Sequence, residues 1–186
     1  MDSKVREEIR KFVRMAVHSE ERILEIFCGE MYRPGELDRR EVEQAIEDLI
    51  AEQRRDQQAW PPETDCDRLR QVFDVLNEKG ILALEDLGWT HGEGYHEIHE
   101  RWENLSDKEK ITGFCFFHEQ DVEGAWDYGH LHLSFGPMDP EKEQSEGAAV
   151  GELILEELRR AGFPLKWNGR FDQRIKITKF DWKRRR

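Results

Sequence analysis

Gly113-Phe-Cys-Phe-Phe-His-Glu-Gln-Asp-Val-Glu-Gly-Ala-Trp-Asp-Tyr-Gly-His-Leu-His-Leu-Ser-Phe-Gly136 reads as a buried strand, a short helical crossover and a second strand. Phe114 to His118 is the central strand, a short apolar run. Glu119 to Tyr128 is the crossover, and Gly129 opens the strand from His130 to Phe135. Side chains alternate along a strand, so Leu131, Leu133 and Phe135 share one face while His130, His132 and Ser134 share the other. The same rule groups Phe114, Phe116 and His118, with Cys115 and Phe117 opposite.

Outward from this unit, helices and strands alternate. From Ser3, the residues Val5, Ile9, Phe12, Val13, Ala16 and Val17 recur at helical spacing, and Ile23, Leu24 and Phe27 resume the stripe after a polar break. Arg33-Pro34-Gly35 makes a turn. Asp38 caps a second helix with the stripe Val42, Ala45, Ile46, Leu49 and Ile50. The two pair as an N-terminal helical hairpin over residues 1–60, and Trp60-Pro61-Pro62 links it to an α+β domain over 61–186. Thr64 caps a third helix that Gly80 ends, Ile81 to Leu84 is the first strand, and the chain turns helical again around Tyr95, Ile98 and Trp102. Gly136-Pro-Met-Asp-Pro140 breaks the chain before a long helix that runs to Ala161. Gly147 and Gly151, one turn apart, let that helix approach the sheet closely. Leu165 to Trp167 and Arg174 to Phe180 form a closing hairpin through Asn168-Gly169, a turn signal. The fold class is α+β: a mixed β-sheet of about five strands covered by helices and preceded by the hairpin.

A chain of 186 residues can bury a core without disulfides or metals, so hairpin and domain fit within one compact unit. No apolar run reaches membrane-span length, and the first residues are charged, unlike a signal peptide. A cytoplasmic location is expected. The three cysteines, Cys28, Cys66 and Cys115, are widely spaced and odd in number, which fits free thiols in a reducing compartment. The formal net charge of −12 repels nucleic acid and attracts basic surfaces, and no membrane partner is expected. Lys183-Arg-Arg-Arg186 reads as a solvated basic tail.

Several side chains carry chemistry. His130 and His132, at i and i+2 on one strand, converge on a metal ion if Asp121 or His118 supplies a third ligand. The plainer reading is a half-exposed sheet face where imidazoles meet carboxylates. His91, His96 and His99 beside Glu93, Glu97 and Glu100 form a second cluster, either metal-binding or a solvated helix face. Asp121 sits where a rigid strand end enters a helix, a place for function or for a cap. No P-loop, dinucleotide fingerprint, H-E-x-x-H or G-x-S-x-G is present.

The strand end Gly113-Phe-Cys-Phe-Phe-His118-Glu-Gln120-Asp121, the run Gly129-x-Leu131-x-Leu133-x-Phe-Gly136 and Trp167-Asn-Gly169, with Ile175, Ile177 and Trp182, carry a resemblance. They are similar to an uncharacterised bacterial domain-of-unknown-function family with an aromatic-His-x-Gln-Asp strand end and a late Trp-x-Gly. The resemblance covers about residues 80–186 and leaves the hairpin outside. Family members often carry cysteines after the first strand; Leu87 to His96 has none here, so no cysteine-borne property transfers. The resemblance implies a fold and brings no activity.

Two functions follow from these residues. The first is an acidic binding protein, an immunity-type inhibitor that neutralises a bacterial toxin by contact with its basic surface. Trp89, Tyr95, Trp102, Asp121, Trp126 and Tyr128 are its candidate contact residues, with core packing as the alternative for the aromatics. The second is a metal-assisted hydrolase using His118, Asp121, His130 and His132. The first reading expects no cofactor and no catalytic residue, and the hairpin is compatible with a homodimer under either.

Overall fold

The N-terminal apolar stripes form helices whose starts are fixed by side-chain caps. α1 (Ser3–Met15) begins where Asp2 accepts a hydrogen bond from the Lys4 N–H at 3.1 Å, and it ends at Ala16 in a left-handed conformation, φ 55°. Ser19 restarts the chain by accepting from the Arg22 N–H, so α2 (Glu20–Glu25) is a separate helix that continues into a π-helical turn over Ile26–Met31. α3 (Arg39–Gln57) starts at Asp38, whose carboxylate accepts from the Arg40 and Glu41 N–H groups. Three helices thus stand where two were expected, because Ser19 is a stronger start signal than the apolar stripe is a continuation signal.

The computed structural model describes residues 1–186 and divides into two units, Met1–Thr64 with Lys183–Arg186, and Asp65–Trp182. In the first, Ile9, Val13, Ile23, Phe27, Ala45 and Leu49 are buried between the helices. Lys183-Arg-Arg-Arg186 is not a solvated tail. Arg186 Nε donates to the Val13 carbonyl at 3.0 Å, Gln53 Nε2 donates to the Arg184 carbonyl at 3.5 Å, and Arg185 donates to the Pro61 carbonyl. Val13 lies in the last turn of α1, where carbonyls lack helical partners and a guanidinium satisfies them.

The second unit runs α4 (Asp65–Glu78), β1 (Ile81–Leu84), α5 (His91–Glu103), β2 (Gly113–Phe116), α6 (Glu119–Tyr128), β3 (Leu131–Pro137), α7 (Glu143–Arg160), β4 (Leu165–Lys166) and β5 (Ile175–Ile177). Its sheet has the order β1-β2-β3-β5-β4, with β1 parallel to β2 and the other pairs antiparallel. The expected α+β architecture is therefore present. The strand faces alternate as the residues dictate. Phe114 and Phe116 meet Tyr95 of α5, at ring-centroid distances of 5.2 and 5.5 Å. On the opposite face Phe117 packs on Phe73 of α4 and on Trp182. Cys115 is wholly buried there, and burial pushes its thiol up, which makes it a packing residue; all three cysteines are free. No helix is long and apolar enough to cross a membrane.

Two local expectations are corrected. Gly136-Pro137 does not break β3, because Phe114 pairs with Gly136 and Gly113 with Pro137. The Phe114 ring occupies the space of the missing Gly136 side chain, 3.0 Å from where a Cβ would lie. The last hairpin is also joined by more than the Asn168-Gly169 turn, although Gly169 has the positive φ of 80° that the turn needs. Trp167 Nε1 donates to the Arg170 carbonyl at 3.1 Å and the Gln173 carbonyl at 2.8 Å, so residues 167–174 fold around the indole.

The close approach of α7 rests on Gly151, where a Cβ would meet the Trp167 ring at 2.7 Å and the Phe135 ring at 2.8 Å. Gly151→Ala should cost about 1–3 kcal/mol in urea denaturation. Gly92→Ala, in α5 with nothing within 4 Å, should be neutral or slightly stabilising in the same assay.

Candidate functional site

After β2 the backbone passes through Phe117 and His118 into α6, and Asp121 occupies the first turn of that helix. Its Oδ2 accepts from the His118 N–H at 3.1 Å, lies 3.2 Å from His118 Nε2, and pairs with an Arg174 NH2. The same NH2 donates to the His132 carbonyl at 3.2 Å. His118 and Asp121 are 4% and 6% exposed, so this carboxylate is a buried charge held by two side chains and a backbone N–H. Its capping role is the one that the helix start requires.

The imidazoles around Arg174 are held neutral. Burial lowers His118 and His91, in each case with a further push from the Arg174 charge and partial compensation by Asp121. Burial and Arg174 take His132 down to about 4. A neutral His118 that donates from Nε2 to Asp121 carries its lone pair on Nδ1, and that atom is buried without a partner. Ser134 Oγ and Arg174 Nε are likewise buried without partners. Two cavities border Arg174. One of about 320 Å³ is lined by His91, Tyr95, Ser134 and Glu143 among others; the second, about 550 Å³, opens beside His132, Lys166 and Lys176.

The four residues of the metal reading do not assemble as a ligand set. No group of three or more His, Cys, Asp or Glu side chains is placed to hold one ion. The Asp121 carboxylate is already paired with a cation, the guanidinium of Arg174. His130 stacks on Tyr128 at 5.9 Å and meets His132 edge-on at 5.0 Å. In the second histidine cluster, His99 lies against Trp102 and Phe114, and His91 against Tyr95.

The candidate contact residues separate by exposure. Tyr95 and Trp102 flank the Phe114–Phe116 core, and Trp102 Nε1 donates to the Lys108 carbonyl, so neither is a surface anchor. Asp121 is withdrawn from the surface by its ion pair. Trp89, Trp126 and Tyr128 are exposed, by 38%, 40% and 76%. Glu119, Glu123, Trp126 and Asp127 occur at i, i+4, i+7 and i+8 of α6 and so form one stripe of the helix, opposite the buried Asp121, Val122 and Ala125.

Sequence reasoning missed Arg174, Lys166 and Lys176. The alternation Arg174-Ile175-Lys176-Ile177 was the available signal, because it puts both cations on one face of the strand; the β3–β5 register then sets that face beside His132.

A mixed-sheet α+β domain whose strand-end histidine and first-turn aspartate are locked by an arginine from a distant strand is the class that this fold and cluster define. The chain belongs to the family described as Domain of unknown function (DUF6891), which matches residues 1–186. The match takes in the N-terminal helices, which the resemblance had left outside. No curated protein and no solved structure matches the chain.

Asp121→Ala strips Arg174 of its carboxylate and His118 of its cap, and should lower unfolding free energy by about 3 kcal/mol in urea denaturation. His132 ionises near 4 in the fold against 6.5 ordinarily, so it takes up a proton on unfolding. The resulting stability is complete above pH 6.5 and is lost as pH falls from 6.5 toward about 4; His91 and His118 act in the same direction. Urea midpoints should decline across that window, and His132→Gln should flatten part of the decline.

Proposed function

We propose that this chain is a binding protein that docks on the basic surface of a protein partner, in the manner of an immunity protein neutralising a toxin. The observation that carries the reading is the α6 stripe: exposed Trp126 set among Glu119, Glu123 and Asp127, with the still more exposed Tyr128 at the helix end. Aromatic side chains ringed by charge are the usual anchors of protein interfaces, because they bury large areas at small entropic cost. Trp89 belongs with this surface through the backbone, since its carbonyl accepts from the Gln120 N–H at the start of α6. The net charge of −12 adds a long-range field that steers a basic partner toward an acidic docking face. The buried Asp121 supports the face from beneath by fixing the first turn of α6.

The test is capture of a partner from the host lysate on immobilised protein, followed by assay of the captured protein's own activity. One basic protein should bind, should dissociate as salt rises above about 0.15 M, and should lose its activity in the stoichiometric complex. Combining Trp126→Ala with Tyr128→Ala should weaken binding about tenfold or more. The melting temperature should fall only slightly, since Tyr128 is largely exposed and Trp126 is 40% exposed. A partner that binds the double variant equally well, or that stays fully active in the complex, overturns the reading.

A further inference from the structure

We infer that the open face of the β3–β5–β4 half-sheet is a binding site for a small phosphorylated ligand, held by Lys166, Lys176, Arg174 and His132. The register is the first ground. Lys176 pairs across β5 with His132 on β3 and with Lys166 on β4, so the three side chains form a row across three adjacent strands. Arg174, two residues before Lys176, shares their face, and all four line one open groove of about 550 Å³. The other face carries Leu131, Leu133, Ile175 and Ile177, each fully buried, so the strand alternation leaves the basic row no route into the core.

The charge balance is the second ground. The chain has 41 acidic residues against 29 lysines and arginines, and many cations elsewhere sit in ion pairs, such as Arg68 with Asp65 and Lys79 with Glu157. Lys166 and Lys176 have no carboxylate within ion-pair distance, although they face each other directly. Asp172, the one acid lining the groove, is held in both oxygens by Arg170, at 2.9 and 2.7 Å. Like charges in direct cross-strand register repel. Here the register keeps them paired and no carboxylate of the chain neutralises them, which is the arrangement that an external anion completes.

The chemistry of the lining selects that anion. Arg174 is fixed by Asp121 and the His132 carbonyl through one NH2, and its Nε has no partner. Two mobile ammonium groups ask for more than one negative charge, and the guanidinium, its own charge met by Asp121, adds positioned N–H donors; a phosphate ester supplies the charge and several acceptor oxygens and a single carboxylate does not. His132 is neutral at physiological pH and contributes a hydrogen bond without a charge. The surrounding excess of carboxylates repels an extended polyanion such as nucleic acid, so the ligand is small.

The test titrates the full chain calorimetrically with inorganic pyrophosphate, inorganic phosphate and citrate. Pyrophosphate should bind saturably at one site, more tightly than phosphate or citrate. Combining Lys166→Gln with Lys176→Gln should weaken it by about tenfold or more. Lys179→Gln, at an exposed lysine outside the strands, should bind as the parent does. Absence of saturable binding, equal binding by the double variant, or tighter binding of citrate than of pyrophosphate overturns the inference.

Discussion

The buried contact between the Asp121 carboxylate and the Arg174 guanidinium is the constraint from which the rest of the sheet-bearing unit is set. A charge with 6% exposure is costly unless its lone pairs are used, and here the His118 backbone, the His118 ring and Arg174 use them. The pair joins positions 53 residues apart, so it ties the first turn of α6 to the residue just before β5. Its effects reach outward in two directions. It gives α6 a rigid first turn, and it holds a guanidinium beside three imidazoles, which stay neutral partly for that reason.

Two surfaces of opposite chemistry grow from that anchor. On α6 the helical period gathers carboxylates and a tryptophan into one stripe. On β3, β5 and β4 the two-residue period gathers lysines, an arginine and a histidine onto one sheet face. Net charge describes the average of the two and neither alone. A chain that is acidic overall therefore holds a compact basic row, visible only once the strands are paired.

Much of the fold was legible because its signals are local. Ile81–Leu84 and Glu119–Tyr128 stand as a strand and a helix where the apolar run and the flanking glycine placed them. The departures arise from partners far away in sequence. Pro137 looks like a strand breaker until Gly113 is set against it, and Gly136 is a gap until the Phe114 ring fills it. Residues 167–174 have a turn signal at Asn168-Gly169, yet the indole of Trp167 decides the loop. The candidate site divides in the same way. His118 and Asp121, three residues apart, could be read together as a strand end and a cap; Arg174 could not, since only the β3–β5 register brings it there. Aromatic residues gave no such guide. Tyr95 and Trp126 both sit on helices among polar neighbours, and only the sheet beneath Tyr95 distinguishes core from surface.

Lys183–Arg186 belong with a unit whose other members all precede residue 65. During synthesis the helices of that unit leave the ribosome before the sheet does, but the carbonyls of Val13 and Pro61 wait for Arg186 and Arg185. The sheet-bearing unit, contiguous from Asp65 to Trp182, has every strand in hand before those arginines are translated. The N-terminal helices therefore receive part of their hydrogen bonding only after the whole sheet has been translated.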